Sequence, residues 1–299
     1  MNKKKLMQAI GFYSVYPLLW LLGWFPLWML YRISDFLFLI VAAFGYRRKV
    51  ITDNLHRAFP HKSNREICRI RVKFYRHLCD TMMETVCMSH INPKKIMRRI
   101  EFVNYALVNE STQSGKDVIV AVGHYGCWEW MSSISNLFIA EGYSVYRPLK
   151  NVHFDKYMIR LRSIFKCRVF PMKNTVREIV KLKRENRRFV LGLIADQSPS
   201  VYELQYWTTF LTQDTPIITG PEKMARLVNA DFYFWGMEKT GRGRYRMTVT
   251  PYPADIATAK EYDPTEWQVK MLEQEIINAP EYWLWSHRRW KYQHLKNNR

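Results

Sequence analysis

Apolar and polar positions change their rhythm several times along the chain. From Leu6 to Tyr31 no charged residue occurs, and Trp20, Trp24 and Trp28 recur at the i, i+4 spacing of one helix face. As one helix this run rises roughly 39 Å, against a hydrocarbon core of roughly 30 Å. Pro17 and Pro26 would kink such a helix without breaking it in a membrane. A cleaved leader fits poorly, because the run is too long and no small-residue cleavage site follows. A second apolar run, Phe36 to Gly45, is too short to span alone and is expected in the interface or the core.

Beyond residue 49 helix and strand patterns alternate. Ser63-Asn64-Arg65-Glu66 is a capping box, and the stripe Ile67, Ile70, Phe74, Leu78, Met82 predicts a helix to about Met88. Asp117 to Val122 reads as a buried strand, followed by a helix from Cys127 to Ala140 and a short strand from Tyr143 to Tyr146. Asn174 is placed to cap a helix to about Arg187, and Phe189 to Ala195 is a second continuous apolar strand. Pro221 suits the first position of a helix to Asn229. Strands at 231–237 and 245–250 and a helix at 265–278 complete the pattern. Continuous apolar strands require a sheet covered on both faces. The expected fold is therefore α/β, a central, mostly parallel sheet flanked by helices, with an N-terminal membrane helix. Residues 1–49 are expected to form the anchor and interfacial segment, and 50–299 one further domain.

Charge sharpens this picture. Of 299 residues, 46 are Lys or Arg and 26 Asp or Glu, a formal charge of +20, and 15% are aromatic. Such a chain suits an anionic membrane surface or nucleic acid. No helix-turn-helix, RNP or finger pattern accompanies the charge, and nucleic acid leaves the apolar N-terminus unexplained. The five Cys are widely spaced with no Cys-x-x-Cys pair, so a disulfide framework and a zinc ribbon are not expected. A reducing compartment, with the main domain facing the cytoplasm, fits that usage.

Candidate chemistry lies where strand meets helix. Gly123-His124-Tyr125-Gly126-Cys127-Trp128-Glu129 directly follows the first buried strand, at the carboxyl end where open α/β sheets bind ligands. His124 with Glu129 could form a general base and its orienting carboxylate, or His124 could satisfy a local turn. No Gly-x-Ser-x-Gly elbow offers a protein nucleophile, so the base would activate a hydroxyl of the substrate itself. Asp196 and Gln197 follow the 189–195 strand, on the same sheet edge if the strands are parallel. They could bind substrate, position a basic partner or cap a turn. Between these boxes, Arg147 to Arg188 holds 14 basic and 3 acidic residues, suited to phosphate groups or an acidic carrier protein, or simply to solvent.

Taken in order, GYRRKVITDNLHRAFP, HYGCWE, YRPLKN, the LRS segment at Arg162, ADQ, TGPEKMAR and YWLWSHRRWK cover the chain from end to end. This ordered set resembles the bacterial lipid A biosynthesis late acyltransferases of the lauroyl/myristoyl type, within the wider glycerolipid acyltransferase superfamily. The resemblance implies a glycerol-3-phosphate acyltransferase-like fold. It implies acyl transfer from an acyl carrier protein thioester to a hydroxyl of a lipid A precursor, at the cytoplasmic face of the bacterial inner membrane. It makes His124 the general base and Glu129 its partner. Substrate-binding roles fall on Arg162 or its neighbour Arg160, on Asp196 with Gln197, and on Arg147. It implies no metal and no cofactor beyond the carrier-bound donor. The implied partners are the carrier protein, an anionic lipid acceptor and the membrane. Relatives acylate other lipids, and a thioesterase or lipid hydrolase could use the same pair, so the acceptor and the acyl length stay open.

Overall fold

The computed structural model describes residues 3–298. The charge-free N-terminal run is not one helix. It divides into α1 (Lys3–Tyr13) and α2 (Tyr16–Gly23), and Pro26 caps α3 (Leu27–Phe44), which absorbs the second apolar run. Pro17 lies in the first turn of α2, where its missing N–H costs nothing, so the break precedes it. Trp24 ends α2 and Trp28 opens α3, so the tryptophan stripe spans two helices. Lys5–Gly23 and Leu27–Phe44 are both long and apolar enough to cross a membrane.

After α4 (Arg48–Ala58), the Ser63 capping box forms as expected: its side chain accepts from the Glu66 N–H, and Glu66 accepts from the Ser63 N–H. It opens α5 (Asn64–Cys87), which packs along α3 and places Ile67, Ile70 and Phe74 in the main core. Next come α6 (Pro93–Met97), β1 (Ile100–Val103), α7 (Ala106–Gln113) and β2 (Val118–Val122). The segment Trp128–Leu137, expected to be α-helical, is a 3-10 helix. There follow β3 (Glu141–Tyr146), α8 (Val152–Arg162), β4 (Cys167–Pro171), α9 (Thr175–Arg184) and β5 (Phe189–Ile194). Asn174 stands at the N-cap of α9, but its side chain makes no capping bond. The antiparallel pair β6 (Tyr206–Phe210) and β7 (Gln213–Ile217) precedes α10 (Gly220–Val228), the hairpin β8 (Asp231–Gly241) and β9 (Arg244–Pro251), and α11 (Asp263–Asn278).

Seven strands form one sheet in the order β1-β9-β8-β2-β5-β3-β4. Every neighbouring pair is parallel except β8 with β9. All five residues of β2 are buried, because their side chains alternate between two cores. Ile119 and Ala121 face the core shared with α5, α9 and α11, whereas Val118, Val120 and Val122 face the core shared with Trp130 and Phe165. This central position of β2 and β5 builds the site, since their carboxyl ends lie side by side under cover on both faces.

Candidate active site

Strand register decides which residues meet. In the parallel pair β2–β5, Val122 lies opposite Ile194, and the Ala195 N–H continues the ladder to the Val122 carbonyl at 3.2 Å. His124 and Asp196 each stand two residues beyond that pair. They meet: His124 Nδ1 lies 2.7 Å from Asp196 Oδ1, and the His124 backbone N–H donates to Oδ2 at 2.9 Å. The Trp283 indole N–H donates to the same Oδ2 at 2.8 Å, so three donors fix the carboxylate. Burial pushes the Asp196 carboxyl up, but the His124 imidazole and these donors outweigh it and hold it at about 2. An ionised Asp196 keeps the proton on Nδ1 and turns Nε2 outward as the basic nitrogen. The Gln197 amide nitrogen stands 3.5 Å from that Nε2, and the Trp128 ring meets the imidazole edge-on at 5.6 Å.

Glu129 does not partner His124. Its carboxylate is engaged by Arg162, whose Nε and terminal nitrogen donate to its two oxygens at 2.8 and 2.7 Å. The reason is directional. Glu129 sits in the first turn of the 3-10 helix that leads away from the β2 end, and Arg162 is the last residue of α8. Burial is the largest single influence and works against the guanidinium charge, but the Glu129 hydrogen bonds and the attraction of its carboxylate together outweigh it and raise the Arg162 pKa. Arg160, exposed on α8, and Arg147, exposed in the loop after β3, make none of these contacts. The sequence-derived set thus falls into a His124–Asp196 pair with Gln197, a Glu129–Arg162 fork, and two outlying arginines.

The turn carrying His124 is held from both sides. Gly126 has φ +60°, and a Cβ there would meet Met237 at 3.0 Å. Its N–H donates to the Tyr282 carbonyl at 3.0 Å, and the Leu284 N–H donates to the His124 carbonyl at 3.1 Å, a short antiparallel bridge to the C-terminal segment. From the other side buried His77 reaches the Gly126 carbonyl at 3.2 Å. Burial and Lys239 lower the His77 pKa to about 3, so its ring is neutral and Nε2–H donates.

Comparison with known proteins places the chain. Residues 2–292 match the family of bacterial lipid A biosynthesis acyltransferases. The chain belongs to that family. It is 24% identical over 277 residues to the lipid A biosynthesis lauroyltransferase of Escherichia coli (strain K12), covering 91% of this chain and 89% of that protein. It is 23% identical over 252 residues to the lipid A biosynthesis palmitoleoyltransferase of the same organism and to a lipid A biosynthesis acyltransferase of Shigella flexneri, covering 82% of this chain and 79% of each relative.

In this member of the lipid A acyltransferase family, two site residues escape a reading of local motifs. Trp283 lies 87 positions from Asp196, and only the terminal YWLWSHRRWK run signals it. Arg289 is buried, with its charge near Asp196 and its terminal nitrogen donating to the Pro216 carbonyl at 3.0 Å. Burial lowers its pKa to about 10, with Asp196 opposing, so it remains a cation at neutral pH behind the pair. Among the described residues no group of three or more His, Cys, Asp or Glu is gathered as metal ligands would be.

Proposed function

We propose that this acyltransferase moves a fatty acyl chain from an acyl carrier protein thioester to a hydroxyl of a lipid A precursor, with His124 as general base and Asp196 as its orienting carboxylate. The observation that carries the reading is the His124–Asp196 hydrogen bond at the joined ends of β2 and β5, with Nε2 turned away from the carboxylate. The acceptor hydroxyl gives its proton to Nε2 while its oxygen adds to the thioester carbonyl. The tetrahedral intermediate then expels the thiolate, which recovers that proton from the imidazolium, leaving an ester and a free carrier thiol. Backbone N–H groups at the start of the Trp128–Leu137 helix suit the oxyanion. The Arg162 cation, fixed by Glu129, suits an acceptor phosphate or the same oxyanion.

The placement of α8 supports a lipid acceptor. Its N-terminal end meets α1 through the Gln8 side chain on the Lys150 carbonyl, and its C-terminal end carries Arg162. The helix between is about 16 Å long, so the site lies close to the apolar N-terminal helices. The unpaired basic residues Arg147, Lys156 and Arg160 suit the acidic carrier. The reading locates the protein at the inner membrane with the site toward the cytoplasm, where carrier and precursor meet.

The test supplies full-length protein with acyl carrier thioester and a lipid A precursor and measures the product mass. The expected result is a gain of one acyl chain, with His124→Ala reducing kcat at least about 100-fold while circular dichroism stays unchanged. Free fatty acid released at the same rate without acceptor, or a His124→Ala rate near wild type, would overturn the proposal.

A further inference from the structure

The N-terminal helices are tied to the sheet domain at every level. In α1 the Gln8 side chain donates to the Lys150 carbonyl at 2.7 Å, Asn151 returns a bond to the Gln8 carbonyl at 2.8 Å, and Phe12 packs edge-on to Phe154 at 5.0 Å. At the end of α2, Gly23 lies against the residues that follow α5. A Cβ at Gly23 would stand 2.6 Å from His90 Nδ1, and the Trp24 ring is 4.3 Å from the His90 ring. In α3 three polar groups are engaged: Tyr31 donates to Glu84 at 2.8 Å, Ser34 donates to Asp80 at 2.8 Å, and Asp35 accepts from Arg242 at 2.8 Å, whose guanidinium also donates to Asp80 at 2.6 Å. Farther along, Phe38 and Val41 pack on the main core.

Between Phe12 and Gly23, the longest interval separating these ties, the chain rises only about 17 Å even as unbroken helix, little more than half a hydrocarbon core. For α2 or α3 to cross, α5 with its Arg and Lys side chains would have to enter the bilayer beside it. The faces turned away from the domain are nevertheless strongly apolar. Ile10, Leu21, Trp28, Phe36 and Phe44 are all exposed there, with Trp20 and Trp24 half-exposed at the edge beside His90. Cations accompany them: Lys5, Arg32, Arg47, Arg48 and Lys150 are exposed on or beside these helices. An apolar layer carrying tryptophans and cations, on helices bound to a folded domain, matches a helix bed lying in one anionic leaflet.

We infer that α1, α2 and α3 lie within a single leaflet of an anionic bilayer and that none of them crosses it, although the run Lys5–Gly23 across α1 and α2, and α3 itself, are long enough to do so. The inference rests on the membrane part of the reading above and not on the reaction. The test places single cysteines at Lys5→Cys, Trp24→Cys and Tyr46→Cys in full-length protein carrying Cys68→Ser, the change that removes the exposed native thiol. Bacterial spheroplasts and inverted inner-membrane vesicles are then treated with a membrane-impermeant maleimide. All three positions are expected to react from the same side, at least tenfold faster than from the other. If position 24 is shielded on both sides, a membrane-permeant fluorescent maleimide is attached there instead, and its quenching by lipids carrying quenchers at graded depths is expected to place it shallow, above the midplane. Reaction of any one position from the face opposite the others, a depth at or beyond the midplane, or recovery of the protein in the soluble fraction would overturn the inference. Labelling repeated with His124→Ala is expected to be unchanged, so loss of the reaction and loss of the topology are read separately.

Discussion

At the residue scale the site depends on one carboxylate and its three donors. Asp196 has a folded pKa of about 2, below its ordinary value of 3.8. It therefore adds stability that is complete above pH 4 and is lost as pH falls toward 2, about 2 kcal/mol in all. Asp196→Asn removes this charge and frees the wrong tautomer of His124. It is expected to lower kcat by about two to four orders of magnitude, read in the acyl transfer assay. Trp283→Phe keeps an aromatic ring but withdraws one buried bond to Oδ2. A loss of about 2 kcal/mol is expected in denaturant unfolding, and most of it should vanish when the substitution is made on Asp196→Asn protein. Arg162 and Arg160 separate in the same way. Arg162 forms the fork on Glu129 and Arg160 is exposed, so Arg162→Ala is expected to reduce turnover about 100-fold or more, and Arg160→Ala less than about threefold, in parallel kinetics.

At the scale of the element, α11 carries a group that opposes stability at high pH. Burial pushes Glu275 up to about 8, although the Met237 N–H donates to it at 3.0 Å. A carboxyl whose folded pKa is raised favours the fold below about pH 4.5, and that advantage is lost as pH rises through 8. The melting temperature is expected to fall between pH 5 and 9 by an amount on the order of 4 kcal/mol in stability, and Glu275→Gln should flatten that slope in a thermal scan. Elements with strong local signals were legible in the sequence. The capping box at Ser63, the apolar runs of β2 and β5 and Pro221 at the head of α10 all stand where their patterns put them. β1, β4 and the β6–β7 pair are short and half-exposed, with no such signature, and α8 has a mixed surface. The site was half legible for the same reason. Both strand-end boxes stand out, but the choice of Asp196 over Glu129 for His124 depends on β2 and β5 being parallel neighbours in register, which no local pattern states.

At the scale of the whole molecule, the N-terminal helices and the sheet domain share buried groups. Leu30 and Ser34 on α3 are fully buried, and Asp80 and Glu84 on α5 rely on α3 and on Arg242 and Tyr245 for partners. Removing residues 1–46 would leave apolar surface and buried carboxylates without cover, so the shortened chain is expected to aggregate or melt at least about 10 °C lower, checked by size exclusion and thermal unfolding. The C-terminal segment has a consequence in time. It supplies the indole on Asp196 and the backbone bridge that fixes the His124 turn, yet it is made after both residues that it holds. A ribosome adding 5–20 residues each second would release His124 and Asp196 many seconds before Trp283 emerges. The nascent polypeptide thus holds the His124–Asp196 pair without the clamp that sets its geometry, and the candidate site is complete only once Trp283 and its neighbours have been made.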